Sequence, residues 1–243
     1  MGKVIVITGA GVGLGRALAR RFARDGDTVV LLGRTFSKVE AAAAEIGASA
    51  MAVECDVGNA DSVRSAFAAI AGKHPRIDVL INNAAVYEPF MVANATDEQI
   101  MGPTLTNFAG PIFTSRAAIP MMEAGGYILN VTSESVALEF PMLSLYQSTK
   151  AGLERFTESL RKELAPQSIR VSTVRCGPMY EEGKGSPWAP EIAMQFYQLC
   201  VAAGIDMRTR PISHVNNVTD VFRSLIDLPG DVSVPHVSIE GWR

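Results

Sequence analysis

The chain has 243 residues, of which 48% are hydrophobic and 19% charged, and its formal net charge is −3. This composition is typical of a globular domain, and the absence of basic clusters argues against a nucleic-acid-binding surface. The apolar runs are too short to cross a membrane or to form the core of a signal peptide, so we expect a cytoplasmic protein with a single domain over residues 1–243.

The cysteines and histidines do not form a recognisable ligand pattern. Cys55, Cys176 and Cys200 are odd in number and widely spaced, and the three histidines do not cluster with them. Disulfide frameworks and zinc sites need regularly spaced ligands. The sequence therefore predicts neither a disulfide nor a bound metal.

Short apolar runs rich in β-forming residues alternate with segments of helical periodicity. The runs carry almost no polar residues, which is typical of parallel strands covered on both faces. Capping boxes at 37–40 and 96–99 indicate helix starts, and Gly47 indicates a helix end. The alternation predicts an α/β fold with a doubly wound parallel sheet, which binds ligands at the carboxyl ends of its strands. The predicted strands are 3–8, 28–33, 50–55, 77–82, 127–132, 169–175 and 234–239.

A glycine-rich loop follows the first predicted strand and opens a helix at about 13–24. Its sequence, TGAGVGLG at 8–15, does not fit the dinucleotide fingerprint G-x-G-x-x-G. Glycines allow positive φ and close approach of a phosphate to the backbone, and a helix start attracts anions. The loop is either a tight turn or a phosphate cradle with its own spacing.

Read as Thr8-Gly9-x-x-x-Gly13-x-Gly15, the loop resembles the T-G-x-x-x-G-x-G signature of the short-chain dehydrogenase/reductase family. Further motifs follow in the family order, and together they span roughly residues 1–178. The resemblance implies a Rossmann-like single domain that binds NAD(P). These motifs are Asp56-Val57, Asn82-Asn83-Ala84-Ala85, Asn107, Ser133 and Tyr146-x-x-x-Lys150.

Tyr146 and Lys150 stand four residues apart, so on a helix their side chains share one face. A phenol ionises at about pH 10, and we expect the neighbouring ammonium to lower the pKa of Tyr146. The resemblance implies that Ser133 binds the substrate oxygen, that Tyr146 transfers the proton, and that Lys150 tunes Tyr146 and holds the nicotinamide ribose. It also implies that Asn107 positions a water in a proton relay, and nearby Pro111 predicts a kinked helix.

Each of these residues also has a purely structural interpretation. A Tyr and a Lys four apart can lie on the surface of an amphipathic helix. Ser133 can cap a turn, and Asn107 can bond to backbone from within a helix.

The residues after the second strand indicate which nicotinamide cofactor is bound. An acidic side chain there would bind the ribose 2′-OH and repel a 2′-phosphate. Gly33 holds this position, followed by Arg34 and Thr35, so we expect NADP(H) to be favoured over NAD(H). Alternatively, Arg34 covers the adenine or lies in solvent, since Val12 is not a second basic residue. The resemblance predicts cofactor contacts at Thr8, Gly9, Gly13, Leu14, Gly15, Arg34, Thr35, Asp56, Val57, Asn82, Asn83, Ala84, Tyr146, Lys150 and Gly177.

The sequence departs from the family pattern after the sixth strand. Cys176 replaces the usual proline, and Glu181 falls where a threonine normally binds the nicotinamide carboxamide. Ala85 replaces the last glycine of N-N-A-G. Cys176 is either a redox-sensitive thiol or a buried small hydrophobe.

The substrate is expected to lie against the loops after Ala85 and Ser133 and against a lid at about 178–211. The Pro-Trp-Ala-Pro segment at 187–190 predicts a stiff start to the helix of this lid. Its apolar side chains suit a mostly apolar alcohol or ketone, or they pack the lid against the body. Arg208 and Arg210 either meet a substrate carboxylate or lie in solvent. The side chains expected there are Tyr87, Phe90, Phe140, Met142, Leu143, Met179, Trp188, Met194, Phe196 and Tyr197.

The sequence thus favours an NADP(H)-dependent oxidoreductase that interconverts a secondary alcohol and a ketone. The alternative is a non-catalytic sensor or scaffold protein, supported by the altered segment 176–181. Family members usually form homotetramers or homodimers. The apolar helix face formed by Leu153, Phe156, Leu160 and Leu164 suits either such an interface or packing on the sheet.

Overall fold

The computed structural model describes residues 2–186 and 188–242; Met1, Arg243 and Pro187, the last at the predicted start of the lid, lie outside the described residues. The strands are β1 (Val4–Thr8), β2 (Thr28–Gly33), β3 (Ala50–Glu54), β4 (Val79–Asn82), β5 (Tyr127–Ser133), β6 (Arg170–Cys176), β7 (Met179–Tyr180), β8 (Ser213–His214) and β9 (His236–Ile239). A seven-stranded parallel sheet has the order β3-β2-β1-β4-β5-β6-β9, and β7 pairs separately with β8. The predicted doubly wound parallel sheet is confirmed.

The helices connect the strands as right-handed crossovers require. They are α1 (Gly13–Arg24), α2 (Phe36–Ile46), α3 (Ala60–Ala71), α4 (Asp97–Pro103), α5 (Gly110–Ala118), α6 (Ser144–Leu164), α7 (Pro190–Ala202) and α8 (Thr219–Asp227). Among the described residues, no helix is long and apolar enough to span a membrane.

The core lies in two layers, one on each face of the sheet. On one face α1, α2 and α8 bury side chains such as Phe22 and Phe222. On the other face α3, α5 and α6 bury side chains such as Ile70 and Leu160. The strand order reverses between β1 and β4, so a crevice opens there at the carboxyl ends of the strands.

Two of the three helix ends predicted from the sequence are present in the structure. The capping box of Thr96 and Gln99 is present, and Gly47 ends α2 at a φ of +89°. The box predicted from Ser37 is wrong, because α2 already begins at Phe36. Thr35 is its N-cap residue and makes no side-chain cap, so Ser37 lies inside the helix.

The kink predicted from Pro111 takes the form of a π-helical segment, Thr104–Ala109, between α4 and α5. Pro103 ends α4, and Pro111 lies in the first turn of α5. Each proline lacks the N–H that a regular helix needs, so the series of α-helical backbone hydrogen bonds is interrupted between them. Asn107 lies in this wider turn and is fully buried.

The apolar face of α6 packs within its own chain. Leu160 and Leu164 belong to the core cluster under the sheet, Phe156 packs against that cluster, and Leu153 is fully buried. Of the two interpretations of this face, packing on the sheet is the one observed.

A buried polar network joins β4 and β5 to the helices that cover them. Asn82 Nδ2 donates to Asn130 Oδ1 at 2.8 Å, and Asn130 Nδ2 donates to Thr157 Oγ1 of α6 at 2.8 Å. Thr114 Oγ1 of α5 donates to Asn82 Oδ1 at 2.6 Å. The network fixes two strands and two helices relative to one another.

Replacing Asn130 with alanine should lower the free energy of unfolding by about 2–4 kcal/mol, because it removes two buried hydrogen bonds, leaves a buried N–H of Asn82 unpaired and opens a small cavity. Urea denaturation measures this. Asn217→Ala, at an exposed position, should cost less than about 0.5 kcal/mol. Equal losses in the two variants would contradict the importance of the network.

Candidate active site

A cavity of about 650 Å³ opens at the carboxyl ends of the strands. Its walls come from the segments that follow β1 to β6, as expected for a ligand site in a doubly wound sheet. The predicted site residues that line it are Gly9, Gly13, Leu14, Arg34, Asp56, Val57, Asn83, Ala84, Ser133, Tyr146, Lys150 and Gly177.

The other predicted residues lie outside the lining of the cavity. Thr8 Oγ1 accepts hydrogen bonds from the N–H groups of Asn83 and Ala84, at 3.0 and 2.9 Å, and so ties β1 to the loop after β4. A Cβ on Gly15 would lie 2.5 Å from the carbonyl oxygen of Gly9. Thr35 is exposed at the start of α2, and Asn82 and Asn107 are buried.

The glycine loop has the form of an anion cradle. Gly9 and Gly13 have φ values of +66° and +57°, which favour glycine. A Cβ on Gly9 would lie 2.9 Å from Ala84 Cα, whereas one on Gly13 would meet nothing within 4 Å. There is therefore space beside the Gly13 backbone at the start of α1, and the loop fits the pyrophosphate of a dinucleotide.

A carboxylate of the chain itself lies on this cradle. Gly13 N–H donates to Glu181 Oε2 at 3.0 Å, and Glu181 also pairs with Arg16 and Lys184. Burial opposes ionisation of this carboxyl, but the hydrogen bonds from Lys184, Arg16 and Gly13 outweigh it and lower its pKa to about 2. No local sequence pattern predicts this contact, because Glu181 lies 168 residues from Gly13.

Tyr146 and Lys150 lie in the first turns of α6 and face the cavity beside Ser133. Lys150 is 2% exposed, and its Nζ donates to the carbonyl oxygen of Val131 at 2.8 Å. The Nζ lies 6.0 Å from the centroid of the Tyr146 ring. An ammonium has three N–H groups, so this buried cation has donors to spare for a ligand hydroxyl.

The pKa values of the pair differ from expectation. Burial raises the pKa of Tyr146 to about 12, although the Ser133 hydroxyl lowers it by hydrogen bonding. Burial lowers the pKa of Lys150 to about 8. The expected lowering of the Tyr146 pKa is not found, because desolvation dominates and the ammonium is bonded to Val131.

Asn107 holds the loop after β4 through its side-chain amide. Its Oδ1 accepts the Val86 N–H at 2.8 Å, and its Nδ2 donates to the Val86 carbonyl at 2.8 Å and to Thr149 Oγ1 at 3.3 Å. Both amide N–H groups are thus used. The side chain can bind a water only through the remaining lone pair of Oδ1.

Arg34 and Asp56 lie at the opposite end of the cavity from Tyr146, after β2 and β3. Arg34 lines the cavity and is exposed. A Cβ on Gly33 would lie 2.7 Å from Val39 Cγ1, so glycine permits the close packing of α2 here. Asp56 Oδ1 accepts the Gly58 N–H at 3.0 Å, which orients the carboxylate and leaves its other oxygen for a ligand.

Aromatic rings form the substrate side of the cavity. The ring centroid of Tyr87 lies 5.6 Å from that of Tyr146 and 5.3 Å from that of Trp188, which in turn lies 5.4 Å from that of Phe196. Trp188 Nε1 also donates to the Tyr87 carbonyl at 3.4 Å. Phe196 and Phe140 belong to a core cluster under α7, so these residues both pack the segment and line the cavity.

Not every side chain predicted for the substrate wall reaches the cavity. Phe140, Leu143 and Met179 line it, together with the aromatic residues named above. Phe90 and Met142 are buried elsewhere, and Met194 is 57% exposed. Tyr197 lies under the Arg208 guanidinium at 5.3 Å.

Arg210 is largely buried and forms an ion pair. Its Nη2 lies 2.6 Å from Glu134 Oε2, each side chain is 18% exposed, and the guanidinium stacks on Phe140 at 5.0 Å. Glu134, directly after Ser133, was missed in the sequence. The pair places a balanced charge at the cavity wall.

The thiol of Cys176 lines the cavity, and burial raises its pKa to about 12. Cys176 is 8% exposed and packs in the core cluster with Val131 and Val174, as the small-hydrophobe interpretation expects. Within residues 2–186 and 188–242, no group of three His, Cys, Asp or Glu side chains could hold a metal ion.

Comparison with known proteins gives concordant matches. A sequence model of the family described as short chain dehydrogenase matches residues 3–186. An uncharacterised oxidoreductase of Methylorubrum extorquens is 35% identical over 189 residues, which cover 75% of this chain and 75% of that protein.

Two solved structures extend the likeness over almost the whole chain. An alcohol dehydrogenase of the archaeon Thermococcus sibiricus, complexed with 5-hydroxy-NADP, aligns with a TM-score of 0.83 at 25% identity and covers 99% of this chain and 97% of its own. A 3-ketoacyl-(acyl-carrier-protein) reductase of Brucella melitensis, complexed with NADH, aligns with a TM-score of 0.81 at 27% identity over the same shares.

Lys150→Met should raise the free energy of unfolding at pH 7 by about 2 kcal/mol, because it removes a buried charge at the cost of one hydrogen bond. The pKa of Lys150 is about 8 in the folded protein, against about 10.4 in an unfolded chain. The free-energy cost of burying the ammonium therefore has its largest value below pH 8 and disappears as the pH rises through 10.4. The stability gained by Lys150→Met should disappear over the same range.

Urea denaturation at pH 7 and pH 10.5 measures the difference. Lys162→Met, at an exposed position of the same helix, is the control and should change stability little at either pH. A Lys150→Met variant that loses stability equally at both pH values would show that the buried ammonium costs nothing.

Proposed function

Because the chain belongs to the short-chain dehydrogenase family and is thus an NAD(P)-dependent oxidoreductase, we propose that it interconverts a secondary alcohol and a ketone with NADP(H), using Tyr146 as general acid/base. The observation that carries the proposal is that Ser133, Tyr146 and Lys150 line one cavity with the glycine loop. A phenol, a hydroxyl and a cation beside a dinucleotide cradle match the needs of hydride and proton transfer to one carbonyl group.

Tyr146 exchanges a proton with the substrate oxygen, and the Ser133 hydroxyl donates a hydrogen bond to the same oxygen. The nicotinamide ring, when bound, supplies or accepts the hydride. Lys150 holds the nicotinamide ribose through its remaining N–H groups. The pKa of Tyr146, about 12, keeps its phenol protonated at neutral pH, which is the form that reduction of a carbonyl group needs.

Asn107 supports this chemistry from outside the cavity. Its amide fixes Val86 and Thr149, and Thr149 lies next to Lys150 on α6. A relay water is bound by the free lone pair of Asn107 Oδ1.

Preference for NADP(H) is supported by the pairing of Gly33 with Arg34. The guanidinium lines the cavity, and no acidic side chain follows β2 to repel a 2′-phosphate. The remaining predicted cofactor residues, from the glycine loop, from Asp56 to Val57 and from Asn83 to Ala84, contact the pyrophosphate, the adenine and the ribose.

The substrate is a mostly apolar alcohol or ketone, because the cavity wall beside Tyr146 consists of Tyr87, Trp188, Phe196 and Phe140. We assign residues 178–211 as the substrate lid, since α7 presents Phe196 to the cavity. The balanced pair of Arg210 and Glu134 suits an uncharged polar group of the substrate better than a carboxylate.

The second candidate is a non-catalytic sensor or scaffold that binds NAD(P). It is favoured by the altered segment 176–181, whose Glu181 carboxylate lies on the glycine loop. A screen of ketones and secondary alcohols with NADPH and NADH separates the candidates. Turnover supports the enzyme, whereas cofactor binding without turnover of any compound supports the sensor.

We also propose a cytoplasmic homodimer or homotetramer. The support is the family resemblance together with exposed apolar side chains near α4, namely Ile100, Met101 and Leu105. Light scattering of the purified protein gives its mass.

Tyr146→Phe should lower kcat at least 1000-fold while leaving the Kd for NADPH within about twofold, because it removes the transferred proton and keeps the ring. Steady-state kinetics on the best substrate of the screen and NADPH fluorescence titration measure the two effects. Tyr197→Phe, on α7, is the matched control and should retain most of its activity. A Tyr146→Phe enzyme with comparable activity would refute the mechanism.

Arg34→Ala should raise KM for NADPH by about 10- to 100-fold and change KM for NADH by less than threefold, because a charge-assisted hydrogen bond to the 2′-phosphate is lost. The ratio of kcat/KM for the two cofactors is the measurement. Arg24→Ala, distant from the cavity, controls for net charge. An unchanged ratio would mean that Arg34 does not read the 2′-phosphate.

A further inference from the structure

Glu181 has no part in the proposed mechanism, yet its carboxylate is firmly bound at the glycine loop. Oε2 accepts the Gly13 N–H at 3.0 Å and lies 2.5 Å from Lys184 Nζ, while Oε1 pairs with Arg16. The Glu181 side chain is only 13% exposed. Three donors thus hold one carboxylate.

The start of α1 lacks a partner of its own. Val12 at the N-cap position makes no side-chain hydrogen bond, and the first turn contains no acidic residue. The free N–H groups and the dipole of a helix start attract an anion. Glu181 supplies that anion from the segment after β7.

A pyrophosphate held by the glycine loop needs the same helix start. Two anions within hydrogen-bonding distance of one N–H repel each other strongly, so they cannot share it. The Glu181 carboxylate must therefore leave Gly13 when a pyrophosphate binds there.

The surroundings of Glu181 allow this movement without unfolding the segment. Met179 and Tyr180 pair with β8, so the backbone just before Glu181 is anchored. A second cavity of about 300 Å³ lies behind the loop and is lined by polar side chains. Its lining includes Arg16 and Arg20 besides Glu181 and Glu182, so a displaced Glu181 carboxylate keeps two cationic partners there, which outnumber the one other acidic group.

We propose that Glu181 sets the cofactor affinity: its carboxylate competes with the dinucleotide pyrophosphate for the start of α1 and turns into the cavity behind the loop when the cofactor binds. The inference rests on the proposed function, because it takes NADP(H) as the ligand of the loop. Glu181 is a positioning residue that acts before the reaction and touches no reacting atom.

The test is the Kd of the purified protein for NADP⁺, measured by isothermal titration calorimetry for wild type, Glu181→Gln and Glu163→Gln. Glutamine keeps the size of the side chain and an oxygen that accepts the Gly13 N–H, but it removes the charge. Glu181→Gln should bind NADP⁺ about tenfold more tightly, as expected for removing an anion from a helix start. Glu163→Gln, the same charge change at an exposed position of α6 outside both cavities, should match wild type.

Adenosine 2′-monophosphate distinguishes competition at the loop from a general effect, because it has the adenosine and the 2′-phosphate but no pyrophosphate. Its Kd should be the same in wild type and Glu181→Gln. Thermal melting checks that the variants are folded, and Glu181→Thr is a second variant that should also tighten NADP⁺ binding.

Unchanged or weaker NADP⁺ binding by folded Glu181→Gln and Glu181→Thr would overturn the inference and leave the proposed function intact. Equal tightening of adenosine 2′-monophosphate would also overturn it, since the effect would not depend on the pyrophosphate. If wild type and all variants bind neither NADP(H) nor NAD(H), the proposed function itself fails, and the inference with it.

Discussion

The hydrogen bond between Asn82 and Asn130, which links two neighbouring strands in the buried interior, is the constraint on which the site depends. A buried amide is costly unless its donors and acceptors are paired, so each asparagine requires its partners in place. Those partners are Thr114 of α5 and Thr157 of α6, and the positions of both helices are therefore tied to β4 and β5. The loop after β4, Ser133 at the end of β5 and the Tyr146 helix inherit this alignment, and local contacts such as that of Lys150 with Val131 reinforce it.

The cavity combines three chemical environments that match three parts of one ternary complex. The helix start and the glycine loop offer N–H groups to phosphate oxygens. The buried Lys150 ammonium has N–H groups for a hydroxyl. The aromatic rings beyond Tyr146 offer apolar surface. Because the three environments lie along one crevice, a long polar cofactor and a shorter apolar substrate can meet at Tyr146.

The sequence predicted what depends on local pattern and missed what depends on distant contacts. The buried strands, α1 and the parallel sheet follow from apolar runs and glycine positions, and the family resemblance identified the residues that line the cavity. The false helix start at Ser37 arose because a capping box read from sequence does not reveal where packing begins the helix. The contacts of Glu181 with Gly13 and of Glu134 with Arg210 join residues far apart in sequence, and no local pattern encodes them. The high pKa of Tyr146 was missed for a similar reason, since desolvation depends on the assembled walls.

The short parallel pair of β7 and β8 has a consequence for how proteins of this kind diversify. Met179 pairs with Ser213 and Tyr180 with His214, so the two ends of the segment 181–212 are fastened to each other. The segment between β7 and β8 can become longer or shorter, or change its side chains, while the strand order of the main sheet stays the same. Exchanging this segment between relatives would thus transfer the part of the wall formed by Trp188 and Phe196, and new specificities can arise without altering the parts that perform the reaction.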